Sequence, residues 1–421
     1  MYRLPSTWRS CLIPRIDTIR AWLTAPWVFR LFNAILRRWA PVLELGKLVI
    51  VSRHADVVDG LAHDTEFTIA EINAERTNRD NGPFVLSMDR SPQHDREKDL
   101  LNEVMHRTDL ERIRAIVSTS TEDCMERARR QGWLDVVGGL TRLVPLRVVS
   151  EYFGVPGPDD VVMLRWMRTL FNDLFLNPFN CPRVVRQAEE SFEQLRPYLL
   201  GWITRRKDEI ASGRHDVPDN VLTRMLRRQR EPGMEWLDDD AVRRNISGLI
   251  IGAIDTTSAS AVRAIDELLR RPTAWSAARE AALAGDEATV SRYVFEALRF
   301  NPHNPFVTRY SQEGATVGRD TTRERRLPKG KTVVFGTMSG MFDRAVFQGP
   351  GQFRTDRDPT QYLHFSSGLH ACQGRYINGV QIPLLAAAVL RLGKVSRACG
   401  WDGRIAWDGP FPDRLLLTVA D

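Results

Sequence analysis

The sequence predicts a mainly α protein with a minor β component, folded as one large domain. Three observations lead there. Helical periodicity with Pro or Gly punctuation recurs over most of residues 92–300. Beyond residue 300 the texture changes to short β-branched runs and turns. No linker, internal repeat or low-complexity tract divides the 421 residues.

In chain order, residues 41–57 read as a short β-unit, the apolar run LGKLVIVSR leading into a helix start at His54-Ala55-Asp56. Asn81-Gly82-Pro83 marks a loop over 80–88. Residues 92–130 read as helical, followed by helices over 140–153, 158–176, 184–212 and 217–229. The longest candidate is 238–270. It opens on Asp238-Asp239-Asp240, acids suited to the free N–H groups and positive end of a helix, and stops before Pro272. A helix over 287–300 precedes a strand at Thr332-Val333-Val334-Phe335. A Gly/Pro-rich stretch at 349–359, a helix over 373–392 and short strands within 403–420 complete the chain.

Composition excludes several classes. With 43% hydrophobic and 27% charged residues the chain is neither disordered nor fibrous. No apolar run reaches the roughly 18–20 residues of a membrane span. Cys11, Cys124, Cys181, Cys372 and Cys399 are far apart, with no CxxC pair, so a disulfide framework and a zinc ribbon are disfavoured. A reducing, cytoplasmic setting is expected. The net charge of +6 resides in residues 1–39, which hold seven arginines against Asp17. The remainder balances, which is not the pattern of a nucleic-acid binder. Trp8, Trp22, Trp27 and Trp39 share that segment. The preferred reading is that residues 1–40 pack their aromatic face on a body formed by 41–421. Contact with an anionic membrane surface is the alternative. Arg15, Arg20 and Arg30 break the apolar stretches, so a signal peptide is not expected.

The most informative segment is Phe365-Ser-Ser-Gly368-Leu-His370-Ala-Cys372-Gln-Gly374. A cysteine lies between glycines just ahead of a helical pattern. Backbone N–H groups at a helix start stabilise a thiolate, and glycines admit close approach of a flat ligand. A lone thiolate so placed suits axial ligation of haem iron. An inert buried cysteine in a glycine turn fits the residues equally well, and zinc binding with His370 lacks a second ligand pair.

The segment resembles the haem-binding loop of cytochrome P450 enzymes, Phe-x-x-Gly-x-(Arg/His)-x-Cys-x-Gly. Phe365, Gly368, His370, Cys372 and Gly374 match it. By that resemblance Cys372 is the proximal thiolate of haem b, His370 a partner of a haem propionate, and Phe365 a neighbour of the sulfur. Glu296-Ala-Leu-Arg299 matches the family's Glu-x-x-Arg motif, with both side chains on one helix face. Arg357, four residues past Phe353, is similar to the later arginine of that cluster, although Gly351-Gln352 departs from the usual pattern. Gly252-Ala253-Ile254-Asp255-Thr256-Thr257 resembles the oxygen-binding motif, with Ala253 in place of a second glycine. The resemblance makes Thr256 the hydroxyl that holds dioxygen and a water, and Asp255 the acid that feeds protons from solvent. His94 and Lys98, in the stretch from Arg90, and Arg309 resemble groups that pair the haem propionates. Lys98 stands where arginine is usual and lacks its fork.

The resemblance spans roughly residues 41–421 and implies a single-domain fold with haem between a long distal helix and the proximal cysteine loop. The implied reaction inserts one oxygen atom of O2 into an apolar organic substrate of small to medium size. Electrons come from NAD(P)H through a separate ferredoxin- or flavodoxin-type donor, since the chain carries no flavin or iron–sulfur motif. Candidate pocket residues are Phe84, Val85, Leu86, Phe175, Ile250, Ala253, Phe306 and Val307. A monomer with no nucleic-acid partner is expected. Two further readings stand beside the monooxygenase: a haem-thiolate isomerase or peroxide-using enzyme that needs no reductase, and a non-catalytic haem or ligand binder.

Overall fold

The computed structural model describes residues 26–420. Helix α1 (Pro26–Trp39) precedes strands β1 (Val42–Leu45) and β2 (Leu48–Val51), then α2 (His54–Ala62) and α3 (Pro92–Val104). Helices Leu110–Gln131 and Leu143–Glu151 lead to α4 (Asp160–Leu176). Pro182–Ala211 and Val221–Arg228 follow, then α5 (Asp239–Ala253), α6 (Asp255–Leu269), the helix Pro272–Leu283 and α7 (Glu287–Phe300). Beyond them come β3 (Val307–Ser311), β4 (Lys331–Phe335) and α8 (Arg375–Arg391). The hairpin of β5 (Ala406–Asp408) with β6 (Phe411–Arg414) lies near the C-terminus.

Helix starts follow local chemistry. Ser91, Asp159, Asp238 and Asp286 each accept a hydrogen bond from a backbone N–H three residues on, at 2.7–3.1 Å. One sheet has the order β1-β2-β4-β3. In it β2 pairs parallel with β4, Leu48 opposite Thr332 and Val51 opposite Phe335, and the other pairings are antiparallel. A second sheet joins Trp133–Asp135, Leu416–Ala420 and Lys394–Arg397, so strands far apart in the chain pair side by side. The main core lies among the helices, and a second cluster (Val49, Val51, Phe67, Val333, Phe335) lies on the four-stranded sheet.

Three expectations are corrected. The predicted 238–270 helix is interrupted at Ile254, whose φ and ψ are −93° and −67°. The hydroxyls of Thr256 and Thr257 bond to the carbonyls of Gly252 (2.6 Å) and Ala253 (2.7 Å), taking acceptors that the helix ladder otherwise uses. The predicted 92–130 helix ends at Val104 and resumes at Leu110. There Asp109 is drawn to Arg224 and to the Tyr152 hydroxyl (3.1 Å), a tertiary demand with no local signal. Finally, within the described part of α1 the aromatic residues Phe32 and Trp39 do not pack on the body, although Asn33 and Leu36 are buried; Trp27 and Phe29 lie outside the described side chains. Leu31, Phe32, Ile35 and Trp39 are exposed, whereas Arg30 donates to Phe300 O (3.1 Å) and Arg37 to Ser339 Oγ (2.8 Å). A carbonyl of Phe300 and the Ser339 hydroxyl and carbonyl on the body accept from these arginines. Arg3, Arg9, Arg15, Arg20, Trp8 and Trp22 lie outside the described residues.

The irregular chain between β4 and α8 is held by a buried carboxylate. Glu296 and Arg299, both fully buried, pair through two bonds of 2.8 and 2.9 Å. Arg357 Nε approaches Glu296 at 3.3 Å, and the Tyr362 hydroxyl (2.8 Å) and Arg354 N–H (2.9 Å) donate to it. The Arg299 fork also donates to the carbonyls of Met341, Pro350 and Gln352. Breaking a buried pair leaves an uncompensated charge, so Glu296→Ala is expected to cost about 3–5 kcal/mol. Denaturant unfolding checks this, and an unchanged midpoint would show that the cluster is not a structural clamp.

Candidate active site

The cysteine loop is a tight turn leading into α8. Cys372 N–H donates to Phe365 O at 2.9 Å, and Ala371 N–H to Gly368 O at 3.1 Å. Gly368 has φ +73°, and a Cβ there would lie 1.9 Å from the Leu61 carbonyl oxygen at the end of α2. The physical need for this glycine is thus packing of the loop on α2, rather than approach of a flat ligand. Gly374 is different: a Cβ there would stand 3.9 Å from Cys372 Sγ, in ordinary van der Waals contact beside the sulfur. Burial pushes the Cys372 thiol up, while the Gly374 N–H, Arg375 and Lys98 draw it down. Phe365 packs edge-on against Phe295, with ring centroids 6.0 Å apart.

Beside the loop the structure gathers four bases. The rings of His94 and His370 meet edge to face at 5.7 Å. His94 Nδ1 lies 2.9 Å from Asp95 Oδ1, but its Nε2 is buried without a partner, as is Nδ1 of His370. Burial, with Arg309 adding, takes His370 down to about 3. Lys98 is lowered by burial and by Arg375. Arg309 is lowered to about 10 by burial, and its Nη1 donates only to its neighbour's carbonyl, Thr308 O, at 2.8 Å. Among the described residues neither Lys98 nor Arg309 has an acid within ion-pair distance. Buried bases without counter-charges are costly, so this group calls for an anionic ligand. A lone thiol at a helix start, drawn down by the Gly374 N–H and adjoining cations for two carboxylates, fits haem.

Helices α5 and α6 are buried except along one stripe. Gly248, Gly252, Thr256, Ser260 and Arg263 are partly accessible while most of their neighbours are buried, a four- then three-residue spacing that marks a single face. A Cβ at Gly252 would meet nothing within 4 Å, so the stripe borders open space. At Gly248 a Cβ would lie 2.5 Å from the Phe84 ring, which is why Phe84 and Val85 can be buried against this helix. Ala253 is half-buried beside the stripe. Ile250 is fully buried on the other side, two residues and about 200° from Gly252, and packs in the core rather than lining the stripe. Leu86 and Phe175 are half-buried, Phe175 against Phe171 at 5.0 Å. Val307 pairs with Phe335 in the sheet, and Phe306 is 44% exposed.

Thr256 Oγ1 donates to Gly252 O within the stripe. Asp255 turns elsewhere: it is 2% exposed and forms ion pairs with Nε of Arg142 and of Arg168, both at 3.1 Å. Arg168 also reaches Asp413 (3.3 Å) and Pro412 O (3.2 Å) on β6. Two guanidiniums on other elements therefore enclose the carboxylate expected to feed protons to Thr256. Thr257 Oγ1 bonds Asn378 Oδ1 of α8 at 2.8 Å, tying the broken helix to the cysteine-loop helix. Arg142, Arg168, Asn378 and Tyr362 carried no signal in the sequence, since each acts across a large chain separation. Among the described residues no cluster of His, Cys, Asp and Glu suits a separate metal ion, and no helix is long and apolar enough to cross a membrane.

A helix-rich fold with a lone cysteine at a helix start and unpaired buried bases beside it is that of a haem-thiolate protein. The family model described as Cytochrome P450 matches residues 46–396, and the chain belongs to that family of haem-dependent, O2-using monooxygenases. It is 25% identical over 345 residues to a steroid C26-monooxygenase of Mycolicibacterium smegmatis, covering 80% of this chain and 77% of that one. It is 26% identical over 286 residues to cyclomarin C epoxidase CymV of Salinispora arenicola, covering 67% of each. The crystal structure of CalO2 shares the fold with a TM-score of 0.79 at 22% identity, over 94% of this chain and 96% of that one.

Two outcomes are expected. Gly368→Ala forces a Cβ into the Leu61 carbonyl at positive φ and should abolish haem retention; an unaltered Soret band in the purified variant would contradict the packing argument. His364, buried between Tyr362 and the cysteine loop with Nε2 on Phe295 O (3.0 Å), is held down at about 3, mainly by burial. The unfolded chain takes up a proton below the ordinary value of about 6.5. Stability is therefore complete above that pH and falls as pH drops toward about 3. His364→Gln should flatten this slope in urea unfolding measured between pH 7 and 4.

Proposed function

We propose that this chain inserts one oxygen atom from O2 into an apolar organic substrate of small to medium size, with electrons from NAD(P)H through a separate ferredoxin- or flavodoxin-type donor in the cytoplasm. The observation that carries the reading is the open stripe around Thr256 on a helix tied through Thr257 and Asn378 to the helix that follows Cys372. It puts an alcohol on the face of the broken helix that borders open space.

When bound, haem with a thiolate ligand supplies the reductive activation of dioxygen. The chain's own residues do the remainder. Cys372 serves as ligand, and Lys98, Arg309, His94 and His370 satisfy the two haem carboxylates and are satisfied by them. Gly252 and Ala253, with little or no side chain, leave the stripe open beside Thr256, and buried Phe84 and Val85 help to exclude water. Thr256 holds a proton at Oγ1, now given to Gly252 O, and can turn it toward the open face. Asp255 is the adjacent acid, and its pairs with Arg142 and Arg168 must loosen before it can serve Thr256. Glu296, Arg299 and Arg357 are assigned a structural role.

Thr256→Ala should leave donor-driven oxygen consumption largely intact while diverting it to hydrogen peroxide; product formation then falls about 10²–10⁴-fold if the hydroxyl acts in proton delivery. Coupled product and peroxide assays with a surrogate donor check this. Full coupling in the variant would remove Thr256 from the mechanism. Turnover with a hydroperoxide alone, and none with O2 and a donor, would favour the peroxide-using reading.

A further inference from the structure

Arg263 and His303 are partly buried polar side chains, with buried ring or guanidinium nitrogens, that the reading above leaves unused. Arg263 stands on α6, seven residues past Thr256, so it lies about 10 Å farther along the axis and close to the same face. It ends the accessible stripe, and a helical side chain leans toward the N-terminal turn, here toward Thr256. Its Nη1 donates to Asn301 Oδ1 at 2.8 Å, and its guanidinium carbon lies 4.9 Å from the Trp407 ring centroid. Its Nε is buried without a partner. Among the described residues no carboxylate lies within ion-pair distance of it. Asp266 is the acid that acts on it electrostatically, and Asp266 is already engaged by Arg270 (2.8 Å) and Arg397 (2.7 Å).

His303 follows α7 and adds to the same feature. Both of its ring nitrogens are buried and neither finds a partner. Burial, reinforced by the nearby Arg263, takes it down to about 3, so the ring is neutral and offers one N–H. Phe171 of α4 lies 6.5 Å from the imidazole and 6.2 Å from Phe411 of β6, closing an aromatic wall. Trp407 offsets part of the cost of burying Arg263 but supplies no acceptor. A guanidinium with a free buried N–H, close enough to act electrostatically on a neutral imidazole with unused nitrogens, ends the accessible stripe of Gly252, Thr256 and Ser260 and lacks an anion.

We propose that Arg263, with His303 beside it, binds the carboxylate of an organic-acid substrate whose apolar body runs along the stripe toward Thr256. The inference rests on the monooxygenase reading and narrows its substrate class to amphipathic acids. The carbon presented beside Thr256 then stands about 10 Å from the carboxylate, the distance along the helix between the two residues. The guanidinium fork and the imidazole N–H give charge-assisted hydrogen bonds, which an ester or amide of the same body cannot match.

The test uses the purified holoprotein with dodecanoate, 4-phenylbutyrate and their methyl esters. Binding is read both from the Soret shift and from the rise in unfolding midpoint, the second of which needs no haem signal. At least one acid should bind about tenfold to a hundredfold more tightly than its ester, the worth of hydrogen bonds to a charged group. Arg263→Met should erase that preference, Arg263→Lys should restore part of it, and His303→Leu should weaken the acid with haem content unchanged. Equal affinity for acid and ester, binding of neither acid, or a preference that survives Arg263→Met would overturn the proposal. An acid preference in a protein that takes up no haem would instead overturn the monooxygenase reading. A normal haem spectrum without acid preference would overturn only the carboxylate site.

Discussion

The buried carboxylate of Glu296 is the interaction on which the rest of the structure depends. It receives Arg299, Arg357, Tyr362 and the backbone of Arg354, and Arg299 spends its remaining donors on three carbonyls of the irregular segment. That segment has little secondary structure to satisfy its own backbone groups, so a side-chain fork does the work of a ladder. Three residues beyond Tyr362 the cysteine loop begins. Its geometry is therefore set from two sides, by the ion cluster upstream and by the Leu61 carbonyl against which Gly368 closes.

Opposite demands meet in the broken helix. An uninterrupted helix would pair every internal backbone group, but here two threonine hydroxyls take carbonyls from the ladder and the backbone kinks at Ile254. The loss is local. What it provides is a hydroxyl on the open face, a second hydroxyl anchored to Asn378, and an acid swung into a cage of two arginines. Arg168 reaches from α4 to both Asp255 and β6, so the acid, the overlying helix and the C-terminal hairpin share one electrostatic tie.

Charge is distributed in the same spirit. Most arginines lie at the surface or in ion pairs, whereas Lys98, Arg309 and Arg263 are held inside without acids. Two of these adjoin the cysteine loop and one ends the stripe. Unpaired buried cations are expensive; Arg76, also buried without an ion pair, is satisfied by the carbonyls of Ile72 and Leu174, whereas ligands are proposed for these three.

The sequence by itself determined the helical class, most element positions, the cysteine loop, the Glu-x-x-Arg pair and the acid–alcohol dipeptide, because each is written in short-range spacing. Hydrophobic period and capping residues act within a few positions, and so do these motifs. Only the tertiary structure decided that the long helix breaks at Ile254, that Arg30 and Arg37 of α1 reach the body while Phe32 and Trp39 are exposed, and that Asp255 is enclosed by Arg142 and Arg168. It alone decided that Ile250 faces the core, and that Arg263 and His303 meet beside an aromatic wall. Apart from the break at Ile254, these outcomes turn on partners far away in the chain, as the Arg263–Asn301 bond, 38 residues apart, and the Arg37–Ser339 bond, 302 residues apart, illustrate. A local pattern states what a side chain can offer. Which acceptor or counter-charge it meets is settled by the folded arrangement of the whole chain.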